Sequence, residues 1–404
     1  MKAPAGGRES GAHAGDDGTA NMHRWLGLLL GAILLWGAAQ PAGAVLRIGV
    51  IVSATGAASA LGMPQRNAVA LLPRRIGGEP VEYVVLDDNS DPVRTVALVR
   101  ALLRAPGVDA LIGPTTTPAS LALLDFVADA QVPMLTPAGS SLVVQPLEAR
   151  KRWAFKLTPS EASLSTVLLR HMARHGVRRL ALIGFTDTYG ESWRSYIEGA
   201  APKAGVHLLL TERYGRMDQT VMGQVLNTMA AKPDGVLIAA SGLPALLPQV
   251  SLRDKGYRGP IYQTMGASLG AFPLLAGKAA EGTWMVANPV LVADQLPPNH
   301  PLATQVAAYA QAYRAHYRVA PEPFGGYVFD AGLLLQAAVP QALTHGRPGT
   351  PAFRQALRNA LEHGVPLAGC QGIYRFTRDN HNGPEPMPRA MMQLRQGHWV
   401  LAPD

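Results

Sequence analysis

A two-lobed, doubly wound α/β fold is what this chain predicts, on three observations. Short apolar runs alternate with helical patterns from residue 45 to the end. Those runs are saturated with Val, Ile and Leu, as strands covered on both faces are, instead of alternating apolar with polar. The length, 404 residues, exceeds one comfortable core, so the alternation is expected to divide into two units. Charged residues make up only 16%, and Gly and Pro are plentiful, which suits a compact protein and not a disordered one.

Taken in order, the chain opens on residues 1–21, which carry no periodicity and precede a second methionine, Met22, placed where a signal peptide would begin. His23 and Arg24 form a basic start, Trp25 to Trp36 a short apolar core, and Ala42-Gly43-Ala44 a small-residue cleavage site, so the mature chain is expected to begin at Val45. The core is read as a signal and not as a membrane span. No cysteine lies near the cut, so no lipid anchor is expected, and the single cysteine, Cys370, is read as a small buried apolar residue. Lys2, Arg8 and Arg24 balance Glu9, Asp16 and Asp17, so the formal charge of +8 belongs to the exported part. Its cations are scattered beside helix ends, where they complement the dipole, and an exported chain without interleaved aromatics is not expected to bind nucleic acid.

Val45 to Ser53 reads as a buried strand, followed by the loop Ala54 to Gly62 and a helix from Pro64 to Arg74-Arg75, with Gly77-Gly78 after it. Val81 to Leu86 is a strand, and Asp87 to Pro92 leads to a helix over Val93 to Leu103, with Asp91 as its cap. Two strand, polar loop, helix units come next. Asp109 to Gly113 ends at Pro114-Thr115-Thr116-Thr117-Pro118 before a helical pattern from Ser120 to Ala130. Gln131 to Leu135 ends at Thr136-Pro137-Ala138-Gly139-Ser140-Ser141. In an open parallel sheet such loops lie side by side at the carboxyl ends of the strands, where hydroxyls and helix amides converge on a crevice able to hold a small polar or anionic group.

After Trp153 to Ser160 the pattern restarts. Helices are expected over Glu161 to His175, Trp193 to Ala204, Met222 to Ala231 and Pro244 to Lys255. Strands are expected over Arg179 to Phe185, His207 to Glu212, Gly235 to Ala240 and Pro260 to Thr264. Thr283 to Val292 is extended, Pro301 to Tyr317 and Gly325 to Val339 are helical, and Gln371 to Thr377 and Arg389 to Leu401 read as strands, the last a hairpin around Gln396-Gly397.

Eight segments in this order, IGVIVSATGAASALG, VVLDDNSDPVRTVALVRALL, LIGPTTTPAS, VPMLTPAGSS, LALIGFTDTYGES, GKAAEGTW, GYVFDAGLLLQAA and GIYRFTRDNHNG, resemble the periplasmic substrate-binding proteins of ABC importers, in the branch of the leucine/isoleucine/valine-binding and amide-binding proteins. The resemblance implies the type I binding-protein fold, with two lobes joined by three crossovers near Lys156 to Pro159, Met285 to Pro289 and Gly372 to Phe376, closing on a ligand. It divides the chain into residues 45–157 with 286–372 and residues 158–285 with 373–404. It implies an extracytoplasmic monomer that binds a small-molecule ligand and delivers it to a membrane permease, with neither catalysis nor a cofactor. Carried over position by position, the family's contacts to the ligand carboxylate fall on Thr117, with Thr116 beside it, and on Ala138, Gly139 and Ser140, while further ligand contact falls on Tyr189 and on Leu61 as a lid.

The departures bear on the ligand. Where amino-acid binders of the family hold the ligand's ammonium with a carboxylate, this chain has Met265-Gly266-Ala267, and where they carry aromatics it has Ser241-Gly242. An unpaired ammonium in a closed cleft carries a heavy desolvation cost, so an amine-free carboxylate or amide with an apolar body is expected unless Asp187 or Asp218 reaches in. Each residue also has a plainer role. Thr117 before Pro118 would serve as an N-cap, Ser140 and Ser141 would cap a turn, Tyr189 would be a half-buried aromatic, and Met265 would fill core. His171 and His175 are four apart but lack the Glu of a zinc-binding helix, and they are read as helix-end cations; no metal is expected. The rivals are a periplasmic sensor of the same fold and an exported α/β enzyme, the latter set aside because this chain is expected to lack the nucleophile elbow Gly-x-Ser-x-Gly and a dinucleotide fingerprint after the first strand.

Overall fold

The computed structural model describes residues 44–104, 107–385 and 391–402. Apart from Ala44, the expected leader, signal core and cleavage site lie outside the described residues. Among the described residues, no helix is long and apolar enough to cross a membrane.

Strands β1 (Leu46–Val52), β2 (Arg75–Ile76), β3 (Glu79–Asp87), β4 (Ala110–Ile112), β5 (Met134–Thr136) and β6 (Ala154–Lys156) form the first sheet, in the order β2-β3-β1-β4-β5-β6. All neighbours pair in parallel except β2 with β3. Helices α1 (Ser59–Ala68), α2 (Pro92–Leu102) and α3 (Thr117–Asp129) connect these strands. The pleat explains why β1 is apolar throughout. Leu46, Ile48, Val50 and Val52 enter one core, while Ile51 enters a second with Val99 of α2 and Leu123 and Val127 of α3.

Past β6 the chain enters the second lobe, with helices α4 (Glu161–Arg174), α5 (Thr188–Ala200), α6 (Met222–Ala230), α7 (Leu246–Asp254) and α8 (Phe272–Ala276). Its strands are β7 (Arg179–Phe185), β8 (His207–Tyr214), β9 (Gly235–Ala239), β10 (Ile261–Gln263) and β11 (Trp284–Val286). Helices α9 (Ala303–Tyr317), α10 (Pro323–Leu343) and α11 (Pro351–His363) follow, and α10 packs on α1 of the first lobe and on α11. After the short pair β12 (Leu367–Ala368) and β13 (Ile373–Tyr374), β14 (Met391–Arg395) and β15 (His398–Leu401) complete the second sheet, ordered β15-β14-β11-β10-β9-β7-β8. The chain therefore crosses between lobes three times.

Four differences from the sequence reading have physical reasons. Helix α1 begins at Ser59 and keeps Pro64 inside it, at the loss of one helical hydrogen bond. Arg75-Ile76 ends no helix but forms β2, because Gly77 and Gly78 (φ 60° and 87°) make a left-handed turn that folds it onto Glu79 and Pro80. Of Gln371 to Thr377 only β13 is strand; the residues before it are held by the carboxylate of Asp330, which accepts the backbone N–H groups of Cys370 and Gln371 at 2.6 and 2.9 Å. Helix α11 was not anticipated, although Thr350 caps it through the Phe353 N–H and Pro351 follows at once, both readable signals. The hairpin β14-β15 turns at Gln396-Gly397 as expected, both with positive φ.

Candidate functional site

On the first lobe, β4 runs out at Gly113, where φ is 104° and a Cβ would lie 2.0 Å from the carbonyl oxygen of Ile51, so only glycine admits this turn. The three threonines that follow divide their labour. Thr115 Oγ1 donates to Gln65 Oε1 at 2.6 Å and accepts the Ser53 N–H at 2.9 Å, tying the loop to α1 and β1. Thr116, not Thr117, is the N-cap of α3, accepting the Ala119 N–H at 3.4 Å; the expected cap is displaced by one residue. Released from capping, Thr117 accepts the Ser140 N–H at 3.2 Å and so joins the two loops predicted to lie side by side.

The second-lobe wall begins after β7. Asp187 caps α5 by accepting the N–H groups of Tyr189 and Gly190 at 2.9 and 3.2 Å. Gly190 is required there, since a Cβ would meet the Phe185 carbonyl oxygen at 2.0 Å. The Tyr189 hydroxyl pairs with Thr264 Oγ1 at 2.9 Å, and burial pushes its pKa up to about 12, so it stays a neutral phenol. Arg216, two residues beyond β8, donates through Nε to Asp187 Oδ2 at 2.5 Å and through Nη1 to Ser241 Oγ at 2.9 Å, with its guanidinium 4.2 Å from the Phe185 ring centroid.

Between these walls lies a cavity of about 50 Å³. Of the residues anticipated from sequence, Leu61, Thr116, Thr117, Gly139, Tyr189, Ser241 and Met265 line it. Ala138 and Ser140 do not. The Ala138 carbonyl accepts the Thr158 hydroxyl at 2.6 Å, and Ser140 Oγ both caps a turn and donates to Ser192 Oγ at 2.8 Å, which in turn donates to Glu161 Oε1 at 2.5 Å. Ser140 is thus placed between the lobes and behind the cavity wall.

Sequence reasoning missed Arg216, Trp193, Phe324 and Tyr327, which also line the cavity. The position of Arg216 just past a strand end was an available signal. Phe324 and Tyr327 come from α10, whose apolar face read only as core. Asp187 and Asp218, the acids considered as partners for an ammonium, do not line the cavity; Asp187 is engaged as described, and Asp218 accepts the Gly215 N–H at 2.8 Å. Among the described residues that line it, Arg216 is the one charged side chain and none is Asp or Glu.

Two other readings change. The sequence does contain one Gly-x-Ser-x-Gly, at Gly266 to Gly270, contrary to the expectation that it lacks the pattern. Ser268 within it is 1% exposed and donates to Met285 Sδ at 3.4 Å, and it follows a one-turn 3₁₀ helix instead of a strand-to-helix elbow. His171 is not a helix-end cation: burial lowers its pKa to about 4, and its ring stacks on His175 at 3.9 Å and leans on Trp284.

Residues 45–398 match the family model described as periplasmic binding protein. The chain is 40% identical to an extracellular ligand-binding receptor from Rhodopseudomonas palustris HaA2, covering 88% of this chain and 99% of that one with a TM-score of 0.85. It is 19% identical to a leucine-binding protein from Thermotoga maritima MSB8 (89% and 98% covered, TM-score 0.74). With an ABC-transporter solute-binding protein from R. palustris solved in complex with benzoate it shares 20% identity (88% and 95% covered, TM-score 0.75). The last two likenesses show the fold alone. No curated protein sequence matches this chain.

Proposed function

This chain belongs to the periplasmic binding protein family, and on that premise we propose that it captures a small, amine-free carboxylate or amide with an apolar body and delivers it to an ABC permease. The observation that carries the ligand class is the cavity lining, which holds no carboxylate among its described residues. Burying an ammonium there without a partner would cost several kcal/mol. Trp193, Phe324, Tyr327, Leu61 and Met265 supply the apolar surround, while Thr116, Thr117 and Gly139 face it with polar groups of the first lobe.

The lobes are assigned as residues 45–157 with the segment from about 286 to 372, and the intervening segment with 373–404. The two sheets support this division, since β1 to β6 share one and β7 to β11 share the other with β14 and β15. A cavity of about 50 Å³ is a third of the roughly 150 Å³ that accepts a benzene ring, so a ring-bearing ligand enters by separation of the lobes. The fold neighbour's complex with benzoate is in keeping with such a ligand. Export through a signal peptide cleaved after Ala44, and action as a monomer, complete the reading.

A thermal-shift screen against aliphatic amino acids, amides, urea and aromatic and aliphatic carboxylates tests it. A ligand at a hundred times its dissociation constant adds about 2.7 kcal/mol of apparent stability. Shifts with amine-free acids or amides are expected. Shifts with amino acids alone would refute the ligand class.

A further inference from the structure

We propose that Arg216 holds an anionic group of the ligand from the second lobe, so that the cleft selects a carboxylate over the amide of the same shape. This rests on the solute-binding reading above and narrows it. Three partners fix the guanidinium: Asp187 Oδ2 at Nε, Ser241 Oγ at Nη1 and the Phe185 ring beneath its face. Asp187 is itself immobilised by the first N–H groups of α5, which share its charge. A guanidinium carries five N–H donors, and among the described residues Asp187 and Ser241 are its hydrogen-bond partners, so donors remain for a ligand. The side chain is only 16% exposed and lies on the cavity wall, where a charged acceptor gains about twice what a neutral one does.

A purely structural Arg216, locking the start of α5 to the end of β8, would have no preference between an acid and its amide. Titration calorimetry with matched pairs, benzoate with benzamide and isovalerate with isovaleramide, separates the two roles. The wild-type protein is expected to bind at least one acid about tenfold or more tightly than its amide. Arg216→Met is expected to weaken that acid by about tenfold to a hundredfold while changing the amide little, and Arg216→Lys to recover part of the loss. The wild-type comparison needs no variant to fold; melting curves establish that the variants do.

An amide bound as tightly as its acid, an acid unaffected by Arg216→Met, or a wild-type protein that binds no acid would each overturn the inference. In the first two cases the solute-binding reading stands. An amino acid bound in preference to every acid and amide would overturn the amine-free reading as well.

Discussion

Behind the cleft, where the chain passes between the lobes, Lys156, Asp330, Glu362 and His381 are buried, and backbone or an opposite charge answers each of them. Lys156 Nζ donates to the carbonyls of Thr158 and Pro159 at 2.9 and 2.6 Å. Asp330 accepts the Tyr374 hydroxyl at 2.9 Å besides its two N–H groups, and Glu362 receives Arg152 at 2.9 and 3.1 Å. His381 meets the Ala154 carbonyl through Nδ1 at 2.9 Å and stacks on Phe155. The cleft wall differs: among the described residues that line it, the single charged side chain keeps donors in hand. A charge satisfied from within holds a turn in one conformation. A charge left partly unanswered, in a low-dielectric space, becomes the means of choosing a ligand.

The largest test of this contrast removes a satisfied charge. Asp330→Ala leaves two buried N–H groups without an acceptor and the Tyr374 phenol with only the Leu157 carbonyl at 3.3 Å, and is expected to destabilise the protein by about 3–5 kcal/mol, measured by denaturant unfolding. A loss below 1 kcal/mol would show that water or a neighbour replaces the carboxylate. Burial raises the Asp330 pKa from 3.8 to about 6, so the folded state holds its proton more tightly than the unfolded one. That contribution is complete below the ordinary carboxylate value and is lost as pH rises through about 6. Asp330→Asn should flatten this part of the stability profile.

Lys156 gives an effect of similar order with the opposite slope. Burial lowers its pKa from 10.5 to about 8, so between those values the unfolded chain binds the additional proton and stability rises with pH. The rise is of order 3 kcal/mol at most. Comparing the pH dependence of unfolding in wild type and Lys156→Met checks it, and an unchanged slope in the variant would remove Lys156 from the account.

Smaller effects are expected at the cleft. A Cβ on Gly139 would lie 2.4 Å from the Tyr189 ring, across from one lobe to the other. Gly139→Ala should therefore weaken ligand binding by about 1–3 kcal/mol through strain in the closed form, while the melting temperature of the ligand-free protein changes little. A lowered ligand-free melting temperature with unchanged affinity would place the strain inside a lobe instead. Thr116→Ala should cost about 1 kcal/mol of stability through loss of the α3 cap. If Thr117→Ala proves the costlier of the two in the unliganded protein, capping has been assigned to the wrong residue.

Much of the architecture was legible because β1, β7 and β9 are short apolar runs closed by polar loops, a pattern with few alternatives in a parallel sheet. The first-lobe wall was legible for the same reason, since Thr115 to Thr117 and Gly139 sit where strands end. What escaped was set by distant contacts. Whether Thr116 or Thr117 caps α3 depends on where the chain turns out of β4 at Gly113. Arg216 looked like one scattered cation among many, and only the approach of Asp187 and Ser241 from separate strand ends makes it part of the cleft.

From its own residues, then, the chain determined its doubly wound class, the strand-end loops that face the cleft and the want of an acid near Met265, because periodicity and residue type are local properties. The tertiary structure decided which side chains share the cavity: it brought Phe324 and Tyr327 in from α10, set Ser140 behind the wall and left Arg216 as the one charge upon it among the described residues. Those outcomes depend on three passages of the chain between lobes, and no local pattern encodes the distance between residues that such passages bring together.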